Sequence, residues 1–230
     1  MKATVLIPTY NEKENVAKVL AGVKAQGVDE ILVVDGNSTD GTRELVTSLG
    51  YTLITQEGRG LGDAIKTGIK RAAGDVIIIV DADGSHDTAD IPKLLAKINE
   101  GYDLVVASRY ISAPKIKGLF KSGSSSYDDT LIRAIGNRMF TWMTRTFYKV
   151  PVHDILMGFK AFRKTIFEKV ELKETGQQFD AEIIIKAQKA GYKLAEVPTV
   201  EYRREHGESK LSVPYHGGKV LWVIIKELFN

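Results

Sequence analysis

Residues 74–84 read GDVIIIVDADG, and this stretch decides the fold. An unbroken run of Val and Ile covers residues 76–80, with Gly on either side of the segment. A β-branched run this short reads as a strand buried on both faces, as in a parallel sheet. Asp81 and Asp83 follow it directly. Side chains at i and i+2 of an extended chain point the same way. Two such carboxylates can grip one hard divalent cation and leave positions for phosphate oxygens and water. The same acids also suit a plainer task, ending the strand and capping the next helix. An EF-hand does not fit, because that loop wants Gly at its sixth position and Glu at its twelfth. Those places hold His86 and Pro92.

Working outward, similar apolar runs occupy residues 3–7, 30–34, 51–55 and 103–107. Amphipathic stretches lie between them, at 13–25, 40–49, 61–72 and 89–99. In the first, Val16, Val19, Leu20 and Val23 fall at helical spacing. Strands alternating with helices predict right-handed βαβ units in an α/β layer. The second half changes character. Residues 112–129 are rich in Ser, Gly and Lys and lack periodicity, so they read as a long mobile loop. Leu131, Ile135, Met139, Trp142, Met143 and Phe147 predict a long helix. Residues 158–162 and 194–202 read as strands, 181–190 as a helix, and 215–229 as a final amphipathic helix. No linker divides the 230 residues, so one α/β domain with a mainly parallel central sheet flanked by helices is expected.

Composition narrows the function. Hydrophobic residues make up 43% and charged residues 27%, the balance of a globular protein. The formal charge of +3 is too small for a protein that binds nucleic acid by charge, so no nucleic-acid partner is expected. There is no cysteine, which excludes disulfides, iron–sulfur clusters and thiol nucleophiles. No apolar run approaches the roughly 20 residues of a spanning helix. No signal peptide is apparent, and work at a membrane would be done from its surface.

In open α/β sheets, ligands bind beyond the carboxyl ends of the strands. The strand ends here collect polar groups on one rim. The first runs into Pro8-Thr9-Tyr10-Asn11-Glu12 and the second into Asp35, followed by Gly36-Asn37-Ser38-Thr39-Asp40-Gly41. The fourth ends in Asp81-Ala82-Asp83-Gly84 and the fifth in Ser108-Arg109-Tyr110. Asp35 could bond a base or ribose, or simply fix its turn. The segment Glu57-Gly58-Arg59-Gly60-Leu61-Gly62 is Gly-rich. It lacks the Gly-Lys-Ser/Thr ending of a P-loop, and Ile65 breaks the dinucleotide fingerprint. It reads equally as a strand-to-helix turn.

Taken in order, these segments resemble the family 2 glycosyltransferases with a GT-A (Rossmann-like) nucleotide-sugar fold. Downstream, Gly158-Phe159-Lys160-Ala161-Phe162-Arg163, Phe179-Asp180-Ala181-Glu182 and Glu196-Val197-Pro198 continue the likeness. The segment from Arg203 through Ser209-Lys210-Leu211 points to the dolichyl-phosphate mannose synthase branch. The resemblance implies a nucleotide-sugar-binding half at 1–110, an acceptor-binding half at 111–212 and a C-terminal amphipathic helix at 213–230. It implies that Pro8, Tyr10, Glu12 and Asp35 hold the base and ribose. Asp81, Ala82 and Asp83 would bind the donor diphosphate, and Asp81, Asp83 and Ser85 an Mg²⁺ or Mn²⁺ ion. Arg109, Arg133, Arg203 and Lys210 would meet the phosphates, with Asp154, Arg133 and Ser209 at the acceptor. The implied reaction is inverting transfer of mannose from GDP-mannose to dolichyl or polyprenyl phosphate.

Departures from the pattern keep other readings open. Relatives often carry a second Asp where Gly36 stands, and Leu-Gln where Gly84-Ser85 stands. Leu156-Met157 replace small polar residues before Gly158. A UDP-glucose-dependent glucosyltransferase and a non-catalytic nucleotide-sugar-binding scaffold subunit share this framework. A sugar nucleotidyltransferase fits less well, since its Gly-rich first loop is missing. The expected place of work is the cytoplasmic face of a membrane. Contact there would come from the final helix and the basic segment 115–121, or through a separate membrane-anchoring subunit.

Overall fold

The computed structural model describes residues 1–111, 126–127, 130–204, 206–207 and 212–230. The expected long loop, the segment 115–121, Ser209 and Lys210 therefore lie outside the described residues, apart from Ser126 and Tyr127 of the loop.

The chain opens with β1 (Ala3–Thr9), α1 (Lys13–Lys24), β2 (Glu30–Asp35), α2 (Thr42–Ser48) and β3 (Thr52–Thr55). It continues through α3 (Leu61–Arg71), β4 (Val76–Ile79), α4 (Ile91–Asn99) and β5 (Leu104–Ser108). After α5 (Leu131–Tyr148) come β6 (Lys160–Arg163), α6 (Thr165–Lys169), α7 (Phe179–Lys189), β7 (Leu194–Pro198) and α8 (Val213–Lys226). The seven strands form one sheet in the order β3-β2-β1-β4-β6-β5-β7. Only β6 runs against its neighbours, pairing Ile79 with Lys160 on one side and Val106 with Lys160 on the other.

Burial explains the strand sequences. Every residue of β4 and β5 is buried, as the unbroken Val/Ile runs require. The edge strand β3 is only half-buried, so its shorter apolar run does not mark a central strand. On α1, Val16, Val19, Leu20 and Val23 are all buried, the face that their spacing marks out. The last expected strand stops at Pro198, because proline cannot extend the ladder, and residues 199–204 leave the sheet as a loop. The single-turn α6 is too short to carry a periodic signal.

The first strands go out from β1 through β2 to β3, and β4 returns on the other side of β1. Thr9 pairs with Asp35 and Leu6 with Ile79, so the carboxyl ends of these strands form one edge. The reversal of strand order at β1 opens a crevice there. β6 begins on this same edge because it is antiparallel, and β7 ends on it beside Ser108. The fold thus brings seven separate segments of sequence to one rim.

Candidate active site

Asp35 closes the first wall of the crevice. Its buried carboxylate accepts from Ser38 N at 3.0 Å and Arg43 Nη1 at 2.9 Å through Oδ1. Oδ2 accepts from Ser38 Oγ at 2.6 Å and Thr9 Oγ1 at 3.2 Å. In the structure Asp35 thus fixes the turn after β2. Asn11, at φ 55°, ties that turn to β1: its N–H donates to Ser38 Oγ at 2.8 Å and its Oδ1 accepts from Thr39 N at 2.8 Å. These bonds leave Tyr10 standing 53% exposed at the mouth of the crevice, with Pro8 half-buried behind it. Glu12 anchors to Thr42 through its backbone N–H and accepts from Asn15. A cleft of about 230 Å³ lies here, lined by Asn11, Glu12, Asp40, Arg204 and His206.

Asp81 and Asp83 stand at the end of β4, with Ala82 buried between them. Gly158 lies beside Asp81, and a Cβ added there would stand 3.0 Å from Asp81 Oδ2. His86 stacks on Phe159 at 5.1 Å, accepts the Asp81 N–H through Nδ1 at 3.2 Å, and brings Nε2 to 3.6 Å from Asp81 Oδ2. Burial pushes the Asp81 carboxyl up to about 6, against the His86 charge, and Asp83 and Asp180 push the same way. Asp83 lies lower than an ordinary aspartate. Burial raises it, but His86, two Ser85 hydrogen bonds and Arg204 outweigh that. Arg204 Nη2 stands 2.6 Å from Asp83 Oδ2, and Ser85 N donates to Oδ1 at 2.9 Å. Deeper in the core, Lys160 of β6 forms a fully buried ion pair with Asp180 of α7.

Across the rim, Arg109 continues β5. Its Nε and Nη2 hold Asp154 in a two-pronged pair at 2.7 and 2.8 Å, and Nη1 reaches Glu201 at 3.0 Å. Burial works against the Arg109 charge, and both carboxylates outweigh it, so the guanidinium stays protonated. Asn137 of α5 donates to Asp154 at 2.7 Å. Asp154 is thus a buried anchor for Arg109 and for α5. Arg133 sits on the first turn of α5, its N–H capped by Thr130. Arg203 is exposed and donates to Tyr127 O at 3.0 Å.

Three features of the site carry no role in the sequence reading: the contact of Arg204 with Asp83, the stacking of His86, and the Lys160–Asp180 pair. The motif segments name these residues, but their contacts arise only when β4, β6, α7 and the loop after β7 meet. Glu182 likewise works structurally. It accepts from Lys173 N and Glu174 N at 2.9 Å each, which holds the Thr175 carbonyl over the Gly62 N–H at 2.7 Å. A Cβ on Gly62 would collide with the Glu174 carbonyl at 2.4 Å. The Gly-rich segment is therefore a packing turn.

Asp81 and Asp83 offer hard oxygen donors, the type that suits Mg²⁺ or Mn²⁺. Burial raises the Asp81 carboxyl, and a cation beside it would favour its charged form. Among the described residues no cluster of three or more His, Asp or Glu could enclose a metal. Such an ion would therefore draw further ligands from its substrate and water.

A mainly parallel sheet with an acidic pair at the end of β4 and arginines on the same rim is an architecture of the GT-A type. Residues 4–171 match the family described as Glycosyl transferase family 2, and the chain belongs to that family. It is a glycosyltransferase. The chain is 33% identical to the Dolichol-phosphate mannosyltransferase of Pyrococcus furiosus, over 100% of this chain and 63% of that protein. It is 32% identical to the Dolichyl-phosphate hexose transferase of Haloferax volcanii, over 94% of this chain and 89% of that protein. Glucosyl-3-phosphoglycerate synthase from Mycobacterium tuberculosis, crystallised with Mn²⁺, UDP and its product, superposes with a TM-score of 0.78. That likeness covers 99% of this chain and 80% of the other at 18% identity, and it confirms the fold.

Proposed function

We propose that the protein transfers mannose from GDP-mannose to a dolichyl or polyprenyl phosphate, with inversion at the sugar. The observation that supports this reading best is the acidic pair Asp81/Asp83 on one rim with Arg109 and Arg204. The names of the two archaeal relatives supply the acceptor class. Residues 1–110 would take the donor, with Pro8, Tyr10, Glu12 and Asp35 around the base and ribose. Residues 111–212 would take the acceptor, with Asp154, Arg133 and Ser209 near its phosphate.

The acceptor phosphate is a monoester whose second pKa is about 6. It is largely dianionic near neutral pH and needs no strong general base. One of its oxygens attacks the anomeric carbon while the bond from that carbon to the diphosphate oxygen breaks. GDP departs with the bonding electrons, and attack from the opposite face inverts the centre. The difficulty is holding two anions together, which calls for positive charge fixed in advance. Arg109, locked by Asp154, offers such a charge, and Arg133, Arg203 and Lys210 would add theirs. Asp81 and Asp83, with Ser85 beside them, would hold Mg²⁺ or Mn²⁺. The ion would neutralise the diphosphate leaving group. A lipid acceptor calls for work at a membrane surface; our reading is the cytoplasmic face, reached directly or through an anchoring subunit.

Labelled mannose should pass from GDP-mannose to a short polyprenyl phosphate when Mg²⁺ or Mn²⁺ is added. Transfer from UDP-glucose instead would move the reading to a glucosyltransferase. Nucleotide-sugar binding with no transfer from any donor would leave a scaffold subunit.

A further inference from the structure

Gly36 leaves a slot in the rim, and the neighbours of that slot are specific. A Cβ added at Gly36 would stand 3.0 Å from Gln56 Oε1 and 3.4 Å from Tyr10 Cδ2. An amide oxygen and an aromatic ring thus flank bare backbone. Gly36 follows β2 and Gln56 follows β3, and the Gln56 N–H donates to the Asp35 carbonyl at 2.9 Å. That bond sets the two residues side by side at the ends of neighbouring strands.

Gln56 presents a fixed acceptor. Its Nε2 donates to the Gly58 carbonyl at 3.1 Å, which decides which way the amide faces. Oε1 is therefore the atom turned toward Gly36, and no donor among the described residues reaches it. Asp35 is the nearby carboxylate, but a ligand cannot reach it. It is fully buried, and its two oxygens already accept four hydrogen bonds. Tyr10, in contrast, is more than half exposed. A ring flanked by a fixed acceptor suits a flat heterocycle, which stacks on the one and is read at its edge by the other.

Strand order sets the span. The rim passes from Gln56 after β3 to Gly36 after β2, Tyr10 after β1 and Asp81 after β4. Three strand spacings, about 14 Å, separate the first from the last. An extended nucleoside diphosphate covers that distance from the edge of its base to its second phosphate. A base edge at Gln56 thus brings the diphosphate to the acidic pair.

We infer that Gln56 Oε1 reads the nucleobase of the donor and selects bases with a ring N–H at that edge, guanine or uracil, over adenine and cytosine. The ring N–H of guanine or uracil donates to Oε1. Adenine and cytosine turn a ring nitrogen lone pair to the same place, and two facing acceptors repel. This deepens the proposed reaction and rests on its nucleotide-binding step.

Calorimetry on the full chain with Mn²⁺ compares GDP and UDP with ADP and CDP. The better of GDP and UDP should bind about tenfold or more tightly than ADP or CDP, as a site built around one N–H requires. Q56A should cost that nucleotide about tenfold and leave ADP and CDP within about twofold, so the preference collapses. The melting temperature should change little, since Gln56 is half-buried beyond the edge strand. G36D/Q56A returns an acceptor from the other side of the slot. The backbone at Gly36 lies outside the left-handed region, so it accommodates Asp, and the lost preference should return.

Tighter binding of ADP or CDP by the unaltered chain overturns the inference. So does a preference that Q56A leaves intact, or one that G36D/Q56A fails to regain. An equal loss for all four nucleotides in Q56A overturns it too, because that marks a residue that only shapes the turn. Mannose transfer by a Q56A protein with unchanged base preference sinks the base reader alone. Binding of no nucleoside diphosphate at all sinks the proposed reaction with it.

Discussion

Gly158 and Asp81 meet with almost no room between them, and that closeness is testable. With a Cβ at residue 158 standing 3.0 Å from Oδ2, Gly158→Ala displaces the carboxylate by a few tenths of an ångström. Small misplacements in a site that works by positioning are costly, so a loss of about tenfold in kcat/KM is expected with little change in melting temperature. Asp81→Asn and Asp83→Asn each remove one negative charge from the pair and should cost about 100-fold or more in transfer, with loss of metal-dependent nucleotide binding by calorimetry. Lys160→Met leaves Asp180 in the core without its cation. A destabilisation of about 3–5 kcal/mol by urea titration is expected, and Lys160→Met with Asp180→Leu should recover most of it. The acidic pair was legible in the sequence because extended chain fixes where i and i+2 point. The Arg204 contact was not. Arg203 and Arg204 are adjacent and chemically alike, and only the path of the loop after β7 turns one toward Asp83 and the other toward Tyr127.

At the scale of elements, α8 is tied to the body by Lys226, whose Nζ meets Glu174 at 3.0 Å. Burial raises the Glu174 carboxyl, but hydrogen bonds from Gln178 and Lys226 and the Lys226 charge outweigh it, so it lies below the ordinary 4.5. A carboxyl depressed in the folded state adds stability that is fully present above the ordinary value. That stability is lost as pH falls through the depressed one. The unfolding free energy from urea titration should therefore drop below about pH 4.5, by up to about 1 kcal/mol, and Glu174→Gln should flatten this limb of the profile. Strands and long helices were readable because burial on two faces or one leaves a periodic trace. The direction of β6 left none, since a short apolar strand reads the same both ways. The Gly-rich segment at 57–62 was also ambiguous in sequence. Gly60 and Gly62 answer to the backbone of Thr175 and Glu174, more than a hundred residues away.

For the molecule as a whole, ligand binding should appear as stability. A nucleotide sugar bound with Mn²⁺ at 100 times its dissociation constant adds about 2.7 kcal/mol to the folded state. A thermal-shift comparison of GDP- and UDP-sugars, with and without the ion, should single out the true donor by the largest rise. The fold class was legible because alternation of strand and helix admits few arrangements. The proposed boundary near residue 110 has a different standing in the sheet, because β6 (Lys160–Arg163) sits between β4 and β5. During synthesis the ribosome releases β4 well before its neighbour exists. Until residue 163 has left the exit tunnel, the acid-bearing strand has one row of backbone donors and acceptors unpaired. A nascent chain of the first 110 residues thus carries a sticky flank that translation rate and chaperones must guard. Expressed alone, that fragment should precipitate, and co-expression of residues 111–230 should rescue it.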